Sequence, residues 1–154
     1  MKRIGILLFT ILYITSCSKK NDPGCMSVPP GEEASSMAAF CKKNSIIYTV
    51  DSNGIYYQVL DQGSGITPND NSIITATYIA KTLDGNVIED NSTTPVTSPL
   101  YKFIEGWRIA IPYIQKGGHI KMVIPSSLAF GCTGSDKVAP NSPVYYDVVL
   151  IDVN

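Results

Sequence analysis

Polar side chains suited to catalysis are scarce in this sequence. The single histidine, His119, begins a predicted strand with no acid or nucleophile close by in the sequence, and we interpret it as a surface residue. Glu89 and Asp90 are adjacent, and because neighbours on a strand point to opposite faces, they cannot act together on one bond. The sequence has no Ser-His-Asp set and no phosphate-binding glycine loop, and its lone histidine, with no close cysteine pair, argues against a zinc site. We therefore expect neither a metal nor another cofactor.

Apolar side chains point instead to the binding of a small ligand in an apolar cup. Sites of this kind are lined mostly by aromatic and aliphatic residues, with few polar groups. The alternative is that the same residues simply fill a hydrophobic core, and the pattern alone favours the core. The candidates are Tyr78, Ile88, Phe103, Ile104, Trp107, Phe130, Val138 and Tyr146.

The elements that would position these residues are mostly strands. Trp107 follows an extended run that turns at Gly106 into a short helix, which Pro112 should kink or shorten. Residues 126–143 form a long connection, and connections of that length are usually functional. Strands are predicted over 55–60, 72–82, 86–89, 96–104, 119–124 and 144–153. The strand over 96–104 is broken by a proline and therefore suits an edge of the sheet. The strand over 144–153 is apolar nearly throughout, and we therefore expect it to be central. The order indicates an α+β domain, an antiparallel sheet folded over one short helix.

A second helix is predicted ahead of the sheet, from Glu32 to Asn44. Met37, Phe40 and Cys41 fall at helical spacing, and acidic residues at the start and lysines at the end match the helix dipole. We expect this stripe to dock the helix by packing. Residues 18 to about 31, rich in proline and glycine, are typical of a flexible linker.

The N-terminus has the features of a secretory signal. Lys2 and Arg3 precede an apolar or small run over residues 4–14 that is too short to span a bilayer, which needs roughly twenty residues. Ile14-Thr15-Ser16-Cys17 resembles the lipobox of bacterial lipoproteins, in which the cysteine is lipidated and becomes the new N-terminus. The alternative is an ordinary secretory peptide cut elsewhere. We predict a signal peptide over 1–16, a lipidated Cys17 with tether and helix over 17–50, and the main domain over 51–154.

Charge and cysteine count constrain the mature chain. Removing Lys2 and Arg3 with the signal leaves 10 of the 12 basic residues against 13 acidic ones, a net charge of −3, and no basic stripe suits nucleic acid. With Cys17 lipidated, Cys25, Cys41 and Cys132 remain, and an odd number leaves at least one thiol unpaired. Cys25 and Cys41 could pair, because both precede the main domain, but the sequence leaves this open.

A series of residues along the chain resembles one known family. These residues are Tyr78, Asp84-Gly85, Phe103-Ile104-x-Gly106-Trp107, Gly117, Ile124-Pro125, Ala129-Phe130-Gly131, Pro140 and Tyr146-Asp147-Val148-Val149-Leu150. In order and at near-normal spacing, they are similar to the FKBP-type peptidyl-prolyl isomerases over about residues 52 to 154. The helix ahead of Gly54-Ile55-Tyr56-Tyr57 also resembles envelope lipoprotein members of that family.

The resemblance implies a fold, a pocket and a function. The fold is a strongly bent antiparallel sheet wrapped around one short helix, with Trp107 at the floor of an apolar cup. Tyr78, Ile104 and Tyr146 match the family's pocket, whereas Phe103 stands where a smaller aliphatic residue is usual. Val138 stands where Ile or Val is common. The implied function is isomerisation of X-Pro bonds in proline-containing polypeptides in the bacterial cell envelope, with the membrane reached through the lipid on Cys17.

Several positions depart from the family pattern. Ile88 replaces a usual Phe, and Glu89 replaces a usual Asp, although a one-residue shift would place Asp90 there instead. Ser98 stands where the family has an aromatic pocket residue. Phe130 stands where the family has a Tyr whose hydroxyl would hydrogen-bond a ligand carbonyl. We therefore expect the fold to be intact and the isomerase activity to be weakened. The binding of macrolide inhibitors should be weakened further. The alternatives are a non-catalytic lipoprotein that binds unfolded chains and a purely structural lipoprotein.

Overall fold

The computed structural model describes residues 24–154, and the predicted signal peptide and lipidated Cys17 lie outside the described residues. The elements in chain order are α1 (Pro30–Lys43), β1 (Thr49–Val50), β2 (Tyr56–Asp61), β3 (Ile73–Thr82), β4 (Val87–Asp90), β5 (Val96–Pro99), α2 (Glu105–Ala110), β6 (His119–Ile124) and β7 (Val144–Val153). Three 3-10 turns connect them, at Leu100–Lys102, Ile111–Tyr113 and Ser126–Leu128. Within these residues no helix is long and apolar enough to cross a membrane.

The strands of residues 24–154 form one antiparallel sheet in the order β1-β2-β6-β7-β3-β4, with β5 pairing the other end of β3. Strand β7 lies between β6 and β3, pairing Val144 with Ile124 on one side and with Thr82 on the other. The prediction of a central strand over 144–153 is therefore confirmed. The predicted α+β fold, an antiparallel sheet packed around a short helix, is confirmed as well.

The inner face of the sheet packs against α2. Alternation along β7 turns Tyr146, Val148 and Leu150 inward, where they are buried with Trp107 of the helix. Gly106 allows this close approach, because a side chain at that position would run into Ile124 of β6. As Pro112 predicts, α2 stops after a turn and a half at Ala110, and the chain continues as a 3-10 turn.

Helix α1 covers part of the opposite face of the sheet. Its predicted stripe of Met37, Phe40 and Cys41 is buried against Tyr56, Val123 and Tyr145, together with Ile46. The helix begins at Pro30, two residues earlier than predicted, because proline is well suited to the first turn, where no intrahelical N–H bond is lost. Residues 30 and 31 therefore belong to the helix rather than to the linker. Strand β1 has only two residues, too few for any pattern to predict it.

The cysteines pair differently from the arrangement considered from sequence. Cys25 forms a disulfide with Cys132, whose Cα atom lies 5.4 Å away across 107 residues of chain. The pair Cys25–Cys41 is not formed, because Cys41 points from α1 into the packed cluster on the sheet and is fully buried. Among the described residues Cys41 is the unpaired thiol, and burial raises its pKa to about 11.

Candidate active site

Trp107 lies at the floor of a cleft between α2, β3, β4 and β7. Within the described part of the chain its ring contacts Tyr78 and Tyr146 edge-on, with centroids 5.0 and 5.5 Å away and interplanar angles of 77° and 87°. Phe103 stacks on it almost in parallel, at 4.5 Å and 4°. The indole is 1% exposed, and its N–H has no partner among residues 24–154. Aromatic contacts at these distances, rather than a hydrogen bond, hold the ring in place.

The local fold explains why the indole takes this position. Trp107 lies in the first turn of α2 and donates its backbone N–H to the carbonyl of Ile104, at 3.0 Å. Pairing of β3 with β7 sets Tyr78 opposite Val148 and Tyr146 opposite Ala80, so both tyrosines face inward on neighbouring strands. The two strands and the helix turn therefore bring the three rings together.

The cleft above Trp107 has a volume of about 200 Å³. Seven of the nine site residues predicted from sequence line it, and Lys102 is an additional lining residue that the sequence did not indicate. Lys102 is the exposed last residue of the 3-10 turn before Phe103. Nothing in the sequence distinguishes a charged residue in a surface turn as part of a binding site. The lining residues are Tyr78, Glu89, Lys102, Phe103, Ile104, Trp107, Phe130 and Tyr146.

Glu89, not Asp90, is the acid that reaches the cleft. The hydroxyl of Tyr78 donates a hydrogen bond to Glu89 Oε2 at 2.7 Å, whereas Asp90 accepts bonds from the backbone and hydroxyl of Ser92. Glu89 lies opposite the buried Ala80 and Asp90 opposite Ile79, so the two carboxylates point to different faces of the sheet. Burial, and then the bond to Glu89, raises the pKa of Tyr78 to about 12. The tyrosine hydroxyl is therefore a proton donor throughout the physiological range.

Ile88 and Val138, the other two predicted residues, lie beside the cleft rather than in its lining. Both are buried in the core that includes Trp107. A bulge in β4 leaves Ile88 without an opposite residue in β3, and this lets it be buried while Glu89 still faces the cleft. Ser98 pairs with the inward-facing Ile74, but its short side chain is not part of the lining.

His119 lies away from the cleft, on the outer face of the sheet. Its Nε2 is 2.6 Å from Asp147 Oδ1, and Asp147 also accepts a hydrogen bond from Tyr145. His119 is therefore a surface residue, as predicted, with its side chain one-third exposed, but it is also paired with an acid. The acid is 28 residues away in sequence and meets the histidine only through the pairing of β6 with β7, which explains why sequence reasoning missed it.

The loop that carries Phe130 is tied to the segment before and within α1. Glu33 is buried and accepts a hydrogen bond from the backbone N–H of Ser126 at 2.8 Å. The Cys25–Cys132 disulfide and a bond from Asn141 Nδ2 to the carbonyl of Met26 make two further links. The carbonyl of Ser126 in turn accepts from the N–H groups of Ala129 and Gly131, on either side of Phe130. Sequence reasoning assigned the acidic start of α1 only to the helix dipole and missed this bond.

Taken together, these residues form an apolar cleft with one tyrosine–carboxylate hydrogen bond, which joins the buried Tyr78 to the exposed Glu89. It has a flat aromatic floor and apolar walls, and within the described residues no cluster of His, Cys, Asp and Glu could hold a metal ion. Such a site can bind and desolvate a small apolar ring, and its lining includes no Ser, Thr, Cys or His.

Comparisons with known proteins agree with this geometry. A family model for FKBP-type peptidyl-prolyl cis-trans isomerases matches residues 64–151. The chain is 35% identical over 116 residues to the isomerase FkpA of Escherichia coli K12, covering 74% of this chain and 42% of that protein. It is 33% identical over 104 residues to the isomerase Mip of Coxiella burnetii, covering 66% and 45%. The chain thus spans less than half the length of these curated relatives.

Solved structures show the same similarity. The crystal structure of E. coli FkpA superposes with a TM-score of 0.72 at 31% identity, covering 81% of this chain and 61% of that one. A peptidyl-prolyl isomerase from Pseudomonas syringae superposes with a TM-score of 0.68 at 26% identity, covering 84% of this chain and 98% of that one.

Removing the Glu33 carboxylate should loosen the loop that carries Phe130. In Glu33→Ala the buried N–H of Ser126 loses its acceptor, which costs roughly 1–3 kcal/mol. We expect amide hydrogen exchange at Ala129 and Gly131 to accelerate by roughly five- to 150-fold, with β7 unchanged. Glu32→Ala is the matched control, because Glu32 is the exposed neighbour on the same helix turn. Equal exchange in the two variants would show that Glu33 does not hold the loop.

The Tyr78–Glu89 hydrogen bond should stabilise the fold in a pH-dependent way. We expect Tyr78→Phe to lower the free energy of unfolding by roughly 0.5–1.5 kcal/mol at pH 8. The folded pKa, about 12, exceeds the unfolded value of about 10. The contribution is therefore fully present below pH 10 and is lost as pH rises toward 12.

Urea unfolding at pH 8, 10 and 11 measures this difference, with Tyr101→Phe as the control because Tyr101 is an exposed tyrosine outside the cleft. The free energy of unfolding of the wild-type chain should exceed that of Tyr78→Phe by less at pH 11 than at pH 10. An equal or larger difference at pH 11 would contradict the raised pKa of Tyr78.

Proposed function

The chain belongs to the family of FKBP-type peptidyl-prolyl cis-trans isomerases, and on that premise we propose that it catalyses the cis–trans isomerisation of X-Pro bonds in polypeptides. The observation that carries the proposal is the flat indole of Trp107 at the floor of an apolar cleft. A proline ring is small, apolar and nearly flat, and therefore suits such a floor. The proposed site residues are the nine predicted from sequence, together with Lys102 at the rim.

The proposed mechanism needs no nucleophile. Amide resonance sets a rotation barrier of roughly 18–20 kcal/mol, and the twisted transition state has lost the resonance together with its charge separation. An apolar site desolvates the planar, dipolar ground state more unfavourably than the twisted state, which is preferential binding of the transition state. Ile104, Trp107 and Tyr146 would hold the proline ring, and Tyr78 and Glu89 would form the polar edge of the cleft.

The departures from the family pattern support a weakened form of this activity. Phe130 lines the cleft without a hydroxyl, so one hydrogen bond to a ligand carbonyl is lost, which corresponds to roughly two- to tenfold in binding. Ser98 does not extend into the cleft, and Ile88 adds no aromatic ring. We propose that the affinity for macrolide inhibitors is reduced further.

We place the protein in the bacterial cell envelope, assisting the folding of proline-containing chains. The signal over 1–16 and the lipobox ending at Cys17 support export and lipid anchoring. The Cys25–Cys132 disulfide supports an oxidising compartment, because such bonds persist outside the cytosol. In the proposed division, residues 17–50 connect the anchor to an isomerase domain over 51–154, with α1 docked on its sheet.

Deleting the floor of the cleft should abolish the activity. We expect the full-length chain to accelerate isomerisation of a proline tetrapeptide in a protease-coupled assay, and Trp107→Ala to reduce kcat/KM by at least about tenfold. Because a buried Trp→Ala change costs roughly 3–5 kcal/mol in stability, Trp107→Leu is assayed beside it, with folding checked by circular dichroism.

His119→Ala serves as the matched control and should keep the wild-type rate, because His119 lies on the other face of the sheet. Equal acceleration by the wild-type chain and by a folded Trp107 variant would show that Trp107 is not part of the catalytic site. No acceleration by the wild-type chain would leave the alternative, a polypeptide-binding module on the same fold.

A further inference from the structure

We propose that Phe103 is an internal occupant of the proline site, and that its ring must swing away from Trp107 before a substrate proline can lie on the indole. Phe103 would then set both the affinity and the rate of the enzyme. The inference rests on the proposed isomerase function and concerns how substrate reaches its site.

The first observation is the stacking of the two rings. Phe103 lies on Trp107 with centroids 4.5 Å apart and planes 4° from parallel. Tyr78 and Tyr146 meet the same indole at steep angles of 77° and 87°, so of these three rings Phe103 is the one that stacks on it. Non-bonded carbon atoms approach to about 3.5–4 Å at best. A proline ring and the Phe103 ring therefore cannot lie on the same indole surface at once.

The size of the cleft agrees with an occupied site. The space left among the lining residues is about 200 Å³, below the roughly 300–1,000 Å³ typical of ligand pockets. Trp107, the proposed floor, is only 1% exposed. The cleft as it stands is partly filled by its own side chain, and moving that side chain would both enlarge the cleft and uncover the indole.

Phe103 is placed so that its side chain can move while its backbone stays fixed. Its N–H donates to the carbonyl of the buried Leu100 at 3.1 Å, and the next residue, Ile104, is the N-cap of α2. The ring, in contrast, is only partly buried and follows Lys102, which is exposed at the rim. A rotation at the Phe103 side chain would carry the ring toward solvent without unfolding either neighbouring element.

The arrangement with Phe103 stacked on Trp107 should be only modestly more stable than the one in which the ring has moved away. A stacked aromatic pair shifts an equilibrium by about two- to tenfold beyond the burial of its area. If the ring must move first, only molecules in which Phe103 has left Trp107 can bind substrate. The apparent affinity is then the intrinsic affinity multiplied by the fraction of such molecules. Removing the ring should therefore raise kcat/KM by a similar factor, the opposite of the loss expected when an ordinary lining residue is truncated.

The test compares Phe103→Val and Phe103→Leu with the wild-type full-length chain. Tyr101→Val is the matched control, an exposed aromatic two residues earlier in the same turn and outside the cleft. Activity toward a proline tetrapeptide is measured by the protease-coupled assay. Binding of the same peptide is followed by the emission of Trp107, the sole tryptophan of the chain, and folding by thermal unfolding.

We expect both Phe103 variants to show kcat/KM raised by about two- to tenfold and tighter peptide binding, with Tyr101→Val unchanged. If a folded Phe103 variant has equal or lower kcat/KM while the wild-type chain is active, the inference is overturned and the isomerase function stands. If no variant and no wild-type chain accelerates isomerisation, the proposed function fails. In that case tighter binding by the Phe103 variants supports the displacement of the ring, and unchanged binding overturns it.

Discussion

The packing of Trp107 against the inner face of the sheet is the interaction on which the site depends. It requires Gly106, because any side chain there would collide with Ile124 and push α2 away from β6. It also requires the register of β3 with β7, which turns Tyr78 and Tyr146 toward the indole from neighbouring strands. The floor of the cleft is therefore held by a helix and by two paired strands of the sheet, and a floor held in this way can bind a ring without being reshaped by it.

The central strand β7 connects the cleft to the outer helix. Tyr146 faces Trp107, while its neighbour Tyr145 faces the cluster under α1 with Phe40, at a ring distance of 5.2 Å. The segment around α1 is also linked, through Glu33 and Cys25, to the loop that carries Phe130. Residues outside the matched family region, 64–151, thus contribute to positioning one wall of the cleft.

Much of the fold could be predicted from sequence because it follows from local patterns of apolar residues. The nearly continuous apolar run over 144–153 indicated a central strand, and the spacing of Met37, Phe40 and Cys41 indicated a buried helix face; the structure has both. The Cys25–Cys132 pair could not be predicted, since it joins residues that only the folded loop brings together. Glu33 gave no signal beyond the helix dipole, because its partner is a backbone N–H 93 residues away. The stacking of Phe103 on Trp107 depends on side-chain conformation, which no residue pattern encodes.

In the proposed function a substrate proline binds on the stacking surface of Trp107. Nuclear Overhauser contacts between a bound Ala-Pro-containing peptide and the full-length chain test this placement. We expect contacts from the proline ring protons to the indole of Trp107, together with loss of the contacts between the Phe103 and Trp107 rings. Proline contacts to another surface, or a bound peptide with the Phe103–Trp107 stack unchanged and no indole contact, would contradict it.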